Sequence, residues 1–328
     1  MEKTKIDIIS GFLGAGKTTL IKKLLKDAFQ GEQVVLIENE FGEIGIDGGF
    51  LKEAGIQIRE MNSGCICCSL VGDFGASLKE VISKYHPDRI LIEPSGVGKL
   101  SDVIKAVQGV EEETGLVLNS YTTVVDAKKC KMYMRNFGEF FNNQVEYAGA
   151  IIMSRTDIVD EAKAQASLEL LREINSKAAI ITTPIEKLEG KKLLEVMEHP
   201  VSLADELMEE EEVCPECGHV HEHGEHHDHH DHHHHHADEV FTSWGRETIK
   251  KYTKENLEKM LEALSASDEY GIILRAKGML PAEDGTWIYF DMVPEETEIR
   301  EGAPEYTGRL CVIGSKLNED KLAELFGL

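Results

Sequence analysis

The sequence predicts an α/β protein in which a mostly parallel sheet is covered by helices on both faces and a smaller α+β domain follows. Three observations predict it. Across residues 1–200, short β-rich runs alternate with stretches of helical apolar spacing, the pattern of parallel strands joined by crossover helices. After Pro200 the composition breaks into an acidic, Cys- and His-rich tract from which no packed core can be built. Beyond that tract, strand and helix patterning resumes and runs to Leu328. The expected organisation is a first domain at 1–200, an arm at 201–239 and a second domain at 240–328. A chain of 328 residues is long enough for both cores.

Each element has its own signal. Ile6-Asp-Ile-Ile9 is an apolar run read as the first strand, and Lys17 to Phe29 places Leu20, Ile21, Leu24, Leu25 and Phe29 at helical spacing. Gln33 to Ile37, Arg89 to Glu93, Tyr121 to Val125, Gly149 to Met153 and Ala179 to Thr183 read as further strands, and Asp160 to Ile174 as a helix. In the second domain, Lys254 to Leu264 has helical spacing. Gly271 to Lys277, Thr286 to Met292 and Leu310 to Ile313 read as strands before a final helix from Asn318.

The residues after the first strand, Gly11-Phe-Leu-Gly14-Ala15-Gly16-Lys17-Thr18-Thr19, have the form of a phosphate loop, which makes the first domain a P-loop NTPase. Glycines let main-chain N–H groups close on phosphate, Lys17 is expected to reach the β- and γ-phosphates, and the Thr18 hydroxyl to bind Mg²⁺. The Arg89 strand ends in Glu93-Pro-Ser-Gly96. Glu93 is read as the second acid on the magnesium side, and Gly96 as a backbone N–H that senses the γ-phosphate. After the later strand comes Ser154-Arg155-Thr156-Asp157. A carboxylate accepts from both N1–H and the exocyclic amine of guanine, so Asp157 is read as the guanine reader, with an N-cap for the following helix as its alternative.

Seven cysteines in a chain without a secretory signal argue for reduced thiols. Cys65, Cys67 and Cys68 stand within Gly64-Cys-Ile-Cys-Cys68, dense enough to converge on one soft cation, with redox chemistry or packing as alternatives. Three thiolates leave a tetrahedral zinc site one ligand short. The acidic stretch Glu38-Asn-Glu40-Phe-Gly-Glu43 is the nearest supplier, with Glu38 and Glu43 as candidates. In the arm, Cys214 and Cys217 have half-knuckle spacing that His219 or His221 would complete, followed by a histidine run through His236. The arm reads as a gatherer or buffer of metal, or as a solvated linker.

Taken in order, Ser10-Gly-Phe-Leu-Gly-Ala-Gly-Lys-Thr-Thr19, Glu38-Asn-Glu-Phe-Gly-Glu43, Gly64-Cys-Ile-Cys-Cys68 and Glu93-Pro-Ser-Gly96 resemble the CobW-type P-loop GTPases, with Thr123-Val-Val-Asp-Ala127 in support. The resemblance covers most of residues 1–200, and Tyr270 to Leu328 looks like that family's smaller C-terminal domain. It implies Mg²⁺-dependent GTP binding, slow hydrolysis, and delivery of zinc, cobalt or a similar ion such as nickel to a client metalloprotein. By position it carries the metal-ligand role to Cys65, Cys67, Cys68, Glu38 and Glu43. One departure is Arg155, where the family pattern usually has Lys; an Arg still lies along a purine face.

No apolar run is long enough to span a membrane, and Met1-Glu-Lys-Thr-Lys5 lacks a secretory h-region, so a cytoplasmic protein is expected. A formal charge of −25 without a basic stripe discounts nucleic acid. A thiol cluster on one face admits completion across a homodimer. Competing readings are a nickel-insertion GTPase for urease or hydrogenase, a non-catalytic metal store or sensor, and a zinc-dependent hydrolase.

Overall fold

The computed structural model describes residues 3–38, 57–60, 71–199, 242–294 and 296–328. The chain divides into two compact units, Met1–Pro200 and Val201–Leu328.

In the first unit the elements run β1 (Lys5–Gly11), α1 (Lys17–Asp27), β2 (Val34–Glu38), β3 (Gln57–Glu60), α2 (Val71–Tyr85), β4 (Arg89–Glu93) and α3 (Leu100–Thr114). They continue through β5 (Val117–Asp126), α4 (Cys130–Glu146), β6 (Ala150–Ser154), α5 (Glu161–Ile174), β7 (Ala179–Ile181) and α6 (Gly190–Glu198). The strands form one seven-stranded sheet in the order β3-β2-β4-β1-β5-β6-β7. Every pairing in it is parallel. From β1 the chain moves outward to β2 and β3, returns through β4, and then passes β1 to build the other half. That reversal opens a crevice at the carboxyl ends of β4, β1 and β5, where ligands belong in such sheets.

Strands covered on both faces are apolar throughout, and β2 is buried at every position. On one face Ile6, Ile8, Val35, Ile37, Ile90 and Ile92 pack with Val103 and Val107 of α3 and Phe141 and Val145 of α4. Helix α1 buries Leu20, Ile21, Leu24 and Leu25, as its spacing predicts. It ends at Asp27 rather than Phe29, and Ala28 occupies the cap. The strand expected at Tyr121 to Val125 is longer, spanning Val117–Asp126.

The second unit runs β8 (Thr242–Thr248), α7 (Lys254–Ala266), β9 (Ile272–Pro281), β10 (Trp287–Val293), β11 (Glu296–Gly302), β12 (Gly308–Ser315) and α8 (Glu319–Phe326). Its sheet is antiparallel in the order β11-β10-β9-β12-β8. Leu257 and Leu261 of α7 and Leu322 and Phe326 of α8 close its core with Trp244, Leu280, Phe290 and Val312. The edge strands β8 and β11 escape sequence reading because they bury little: Thr-Ser-Trp-Gly-Arg-Glu-Thr and Glu-Thr-Glu-Ile-Arg-Glu-Gly carry no apolar alternation. Charged residues on an exposed edge also discourage pairing with another chain.

At the amino-terminal end of the first sheet lies a buried ionic network. Arg89 is 2% exposed and donates to Asp7, itself fully buried, and to Glu198 at 3.1 Å. Ser120 Oγ at 2.6 Å and Asn119 Nδ2 at 2.8 Å donate to the other Asp7 oxygen, so the carboxylate is fully engaged. Burial works against the Arg89 charge, but Asp7 and Glu32 outweigh it and hold the guanidinium above its ordinary pKa. Burial likewise opposes the Glu198 charge, yet the Asn119 amide, Arg89 and Lys5 together leave its carboxyl below the usual range.

In the unfolded chain a Glu binds its proton near pH 4.3, at higher pH than the folded Glu198 does. Glu198's contribution is therefore complete above that value and is lost as pH falls through its folded pKa. Urea unfolding followed from pH 7 to pH 3 should show that acid loss. Arg89→Met, which strands the Asp7 carboxylate, should cost about 3–5 kcal/mol at neutral pH. A change under 1 kcal/mol would mean that Asp7 is relieved by some other group.

Candidate functional site

Gly11 ends β1 with φ +143, and a Cβ there would lie 2.4 Å from the Val124 carbonyl oxygen of β5, so only glycine fits. Gly14 at φ +69 and Gly16 at φ +109 take the left-handed turns that carry the chain from the strand into α1. Helix α1 starts on Gly16 with no side-chain cap and no acid in its first turn. Its first N–H groups and the positive end of its dipole are therefore presented to whatever anion occupies the loop.

Three loop carbonyls are tied down. Lys17 Nζ, on a residue 8% exposed, donates to Gly11 O at 3.0 Å, Ser154 Oγ donates to Ala15 O at 2.6 Å, and Arg155 donates to Gly14 O at 3.0 Å. In a trans peptide the N–H points opposite to the carbonyl, so each tie turns the following amide away from its anchor. The buried ammonium, the glycine turns and the uncapped helix start are a donor set that fits a phosphate chain.

Around the loop stand the acids. Glu93 ends β4, the strand next to β1, with Oε1 3.7 Å from Lys17 Nζ. Thr18 is half-buried and Thr19 exposed on the first turn of α1. Gly96 abuts the loop, and a Cβ on it would lie 2.8 Å from Leu13 Cδ2 and 3.0 Å from Leu13 N. Glu38 is 7% exposed and is the last residue of β2 rather than part of the loop after it, and it stands in register with Glu93.

Arg155 is more than a surface along a base. It sits at φ +61 beyond β6 and pairs with Asp126, the buried last residue of β5, while also holding Gly14 O. Asp126 accepts Lys128 N at 2.8 Å with its other oxygen. Thr156 Oγ1 donates to Thr182 O at 2.7 Å and pins the turn to the end of β7. Asp157 stands exposed on that turn. It does not cap α5, because Asp160 does so by accepting Lys163 N at 2.8 Å, which removes the capping alternative.

Sequence reading did not assign Asp126, Ser154 or the ties from α4. An acid closing a buried strand was the only available signal for Asp126; the others depend on partners forty or more residues away in sequence. Glu43, Cys65, Cys67, Cys68, Cys214, Cys217, His219 and His221 lie outside the described residues. Among the described residues, no three His, Cys, Asp or Glu side chains group to hold a metal ion. Cys130 and Cys311 are buried, and burial pushes the Cys130 thiol up to about 12, so it stays protonated. No described helix is long and apolar enough to cross a membrane.

The model of the CobW/HypB/UreG nucleotide-binding domain matches residues 5–182, and that of the cobalamin synthesis protein CobW C-terminal domain matches residues 241–327. The "Zinc chaperone CobW" of Sinorhizobium sp is 30% identical over 217 residues, covering 58% of this chain and 60% of that protein. The "Zinc-regulated GTPase metalloprotein activator 1" of Schizosaccharomyces pombe is 23% identical over 322 residues, covering 91% and 77%. The crystal structure of Zn(II)-bound YjiA GTPase from E. coli is similar at a TM-score of 0.44 and 21% identity, covering 100% of this chain and 99% of that one. The chain spans 60% or less of the length of several curated relatives it matches.

Arg155→Ala removes one loop tie and leaves Asp126 without its cation. Titration with a fluorescent guanine nucleotide should show affinity for di- and triphosphate alike falling by about tenfold, the loss of one charge-assisted contact. Unaltered affinity would show that the loop holds its shape without the strap.

Proposed function

The chain belongs to the CobW/HypB/UreG family of nucleotide-binding proteins, and on that premise we propose that it is a GTP-hydrolysing metallochaperone: it captures a transition metal, zinc foremost, and passes it to a client metalloprotein. The observation that carries this reading is the register of Glu38 with Glu93. Neighbouring strands lie about 4.8 Å apart, so a candidate metal ligand and the acid beside Lys17 end adjacent strands at the same level. Whatever reorders one strand end on nucleotide binding acts on its neighbour.

In this reading the loop amides and Lys17 bind the phosphates, and Thr18 and Glu93 hold Mg²⁺. When bound, Mg²⁺ neutralises phosphate charge and orients the chain for hydrolysis. Gly96 supplies the amide that distinguishes tri- from diphosphate, and Asp157 reads guanine. Cys65, Cys67 and Cys68, with Glu38 or Glu43, take the cargo metal. Residues 201–239 form an arm between the nucleotide domain and residues 240–328, and Cys214, Cys217, His219 and His221 gather metal on it in the cytoplasm. The match of residues 241–327 to the CobW C-terminal model supports this reading over a nickel-insertion GTPase for urease or hydrogenase.

Coupling between nucleotide and metal is reciprocal, so each must change the other's affinity by the same factor. Chelator competition with the full chain should give Zn²⁺ binding at least about tenfold tighter with Mg²⁺ and a non-hydrolysable GTP analogue than with Mg²⁺-GDP, a coupling of about 1.4 kcal/mol. Cys67→Ala should abolish the difference while leaving the arm's contribution equal in both states. Identical Zn²⁺ affinities in the two nucleotide states of the unmutated chain would refute the coupling.

Base recognition is testable separately. Inosine lacks the exocyclic amine, so the protein should prefer GTP to ITP by about tenfold, the contribution of one hydrogen bond to a carboxylate. Asp157→Ala should bind the two equally; a preference that survives assigns guanine to another group.

A further inference from the structure

Helix α4 crosses behind the phosphate end of the sheet and carries one fully buried polar side chain, Gln144. Its Nε2 donates to two carbonyls of the segment after Glu93, Gly98 O at 2.8 Å and Gly96 O at 3.1 Å. That segment is a tight turn. Gly98 N donates to Ser95 O at 2.8 Å, and Ser95 Oγ lies 3.5 Å from Val97 N. Asn143, the preceding residue on α4, fixes the start of α3 by accepting Ser101 N at 3.2 Å and donating to Ser101 Oγ at 3.0 Å. The backbone of Gln144 is itself held, because Thr123 Oγ1 of β5 donates to its carbonyl at 2.6 Å.

Two carbonyls facing one amide require its NH₂ there, since the opposite orientation would set three oxygens against each other. Each carbonyl belongs to a planar trans peptide whose N–H points the other way. Holding Gly96 O therefore fixes the direction of the Val97 N–H, and holding Gly98 O fixes that of the Lys99 N–H. Gly96 itself is wedged against the Leu13 amide of the phosphate loop, and Tyr133, about three turns earlier on α4, donates to Leu13 O at 3.4 Å. The two arms of α4, joined across a kink at Phe137, thus grip the phosphate loop and the turn beside it.

We propose that Gln144 is a positioning residue for triphosphate recognition: by holding Gly96 O and Gly98 O it fixes the peptide planes on the carboxyl side of Gly96, and with them the turn that presents the Gly96 N–H beside the phosphate loop. It touches no nucleotide. It deepens the assignment of Gly96 as the γ-phosphate sensor and rests on it. The diphosphate is bound by the loop and α1, which Gln144 does not hold, so its removal separates the two nucleotides. A purely structural glutamine would instead weaken both together.

The test uses the full chain with Gln144→Met, close in shape but without the donors. Affinities for GTPγS and GDP, each with Mg²⁺, are measured by calorimetry alongside the melting temperature without nucleotide. Expected is a loss of about tenfold for GTPγS, equivalent to about 1.4 kcal/mol, with GDP affinity within about twofold of the parent. Gln144→Asn keeps the donors but is too short to span both carbonyls, and should give a smaller loss of the same selective kind; it carries the test if the Met variant does not fold. Equal losses for both nucleotides, or none, overturn the proposal. Gly96→Ala separates its failure from that of the sensor assignment. Its Cβ would meet Leu13 and shift the turn while keeping the N–H, so if it collapses the GTPγS to GDP ratio while Gln144→Met does not, the sensor stands and Gln144 is not its support; if Gly96→Pro, which removes the N–H, leaves the ratio intact, Gly96 is no sensor.

Discussion

The geometry of the phosphate end depends on main-chain carbonyls being held from behind. Gly11 O, Gly14 O and Ala15 O are bound by Lys17, Arg155 and Ser154, groups from α1 and from the end of β6. A loop of glycines has too much conformational freedom to hold a shape by itself, and ordering it costs more entropy than ordering any other residue type. The ties meet that cost before an anion arrives. They also explain why the sheet must be parallel and registered here: β1, β5 and β6 pair side by side, so that single side chains span between their ends.

The two ends of the same sheet solve opposite electrostatic problems. At the amino-terminal end, Asp7, Arg89 and Glu198 sit with nearly every oxygen occupied by Ser120, Asn119 and Arg89 itself. A carboxylate so fully paired is inert and serves to lock β1, β4, β5 and α6 in place. At the carboxyl-terminal end, Lys17 is buried with one carbonyl and one glutamate near it, a cation whose surroundings leave it suited to an incoming anion. The rigid network anchors the strands, and the responsive groups ride on their far ends.

The parallel sheet was legible because strands buried on both faces leave continuous apolar runs such as Val34 to Ile37, and because glycines, a lysine and a threonine at fixed spacing have few other uses. The antiparallel sheet was legible only at its centre. Strands β8 and β11 are edges whose residues mostly face solvent, so nothing in their local pattern distinguishes them from loops. For the site, residues acting through local spacing, Lys17 and the loop glycines, were readable. Asp126, Ser154 and Gln144 were not, because their partners at Arg155, Ala15, and Gly96 and Gly98 are brought close only by folding. Arg155 was seen but given a single role along the purine face; its fork reaching both Asp126 and Gly14 O is a property of the fold.

Placing Glu38 inside β2, rather than on the segment beyond it, changes how metal and nucleotide can communicate. A ligand that only a rearrangement brings to the metal carries the entropic cost of that rearrangement. As a ligand, Glu38 at a strand end in register with Glu93 would already be in place, and its neighbour across the sheet is the acid 3.7 Å from Lys17. In the proposed reading, changes of charge at the phosphates reach Glu38 across one strand spacing, through Lys17 and Glu93. Such a short path limits coupling to what adjacent charges supply, on the order of 1–3 kcal/mol. For the proposed metal cycle that is enough to bias capture against release, and small enough for a client offering its own ligands to draw the metal away.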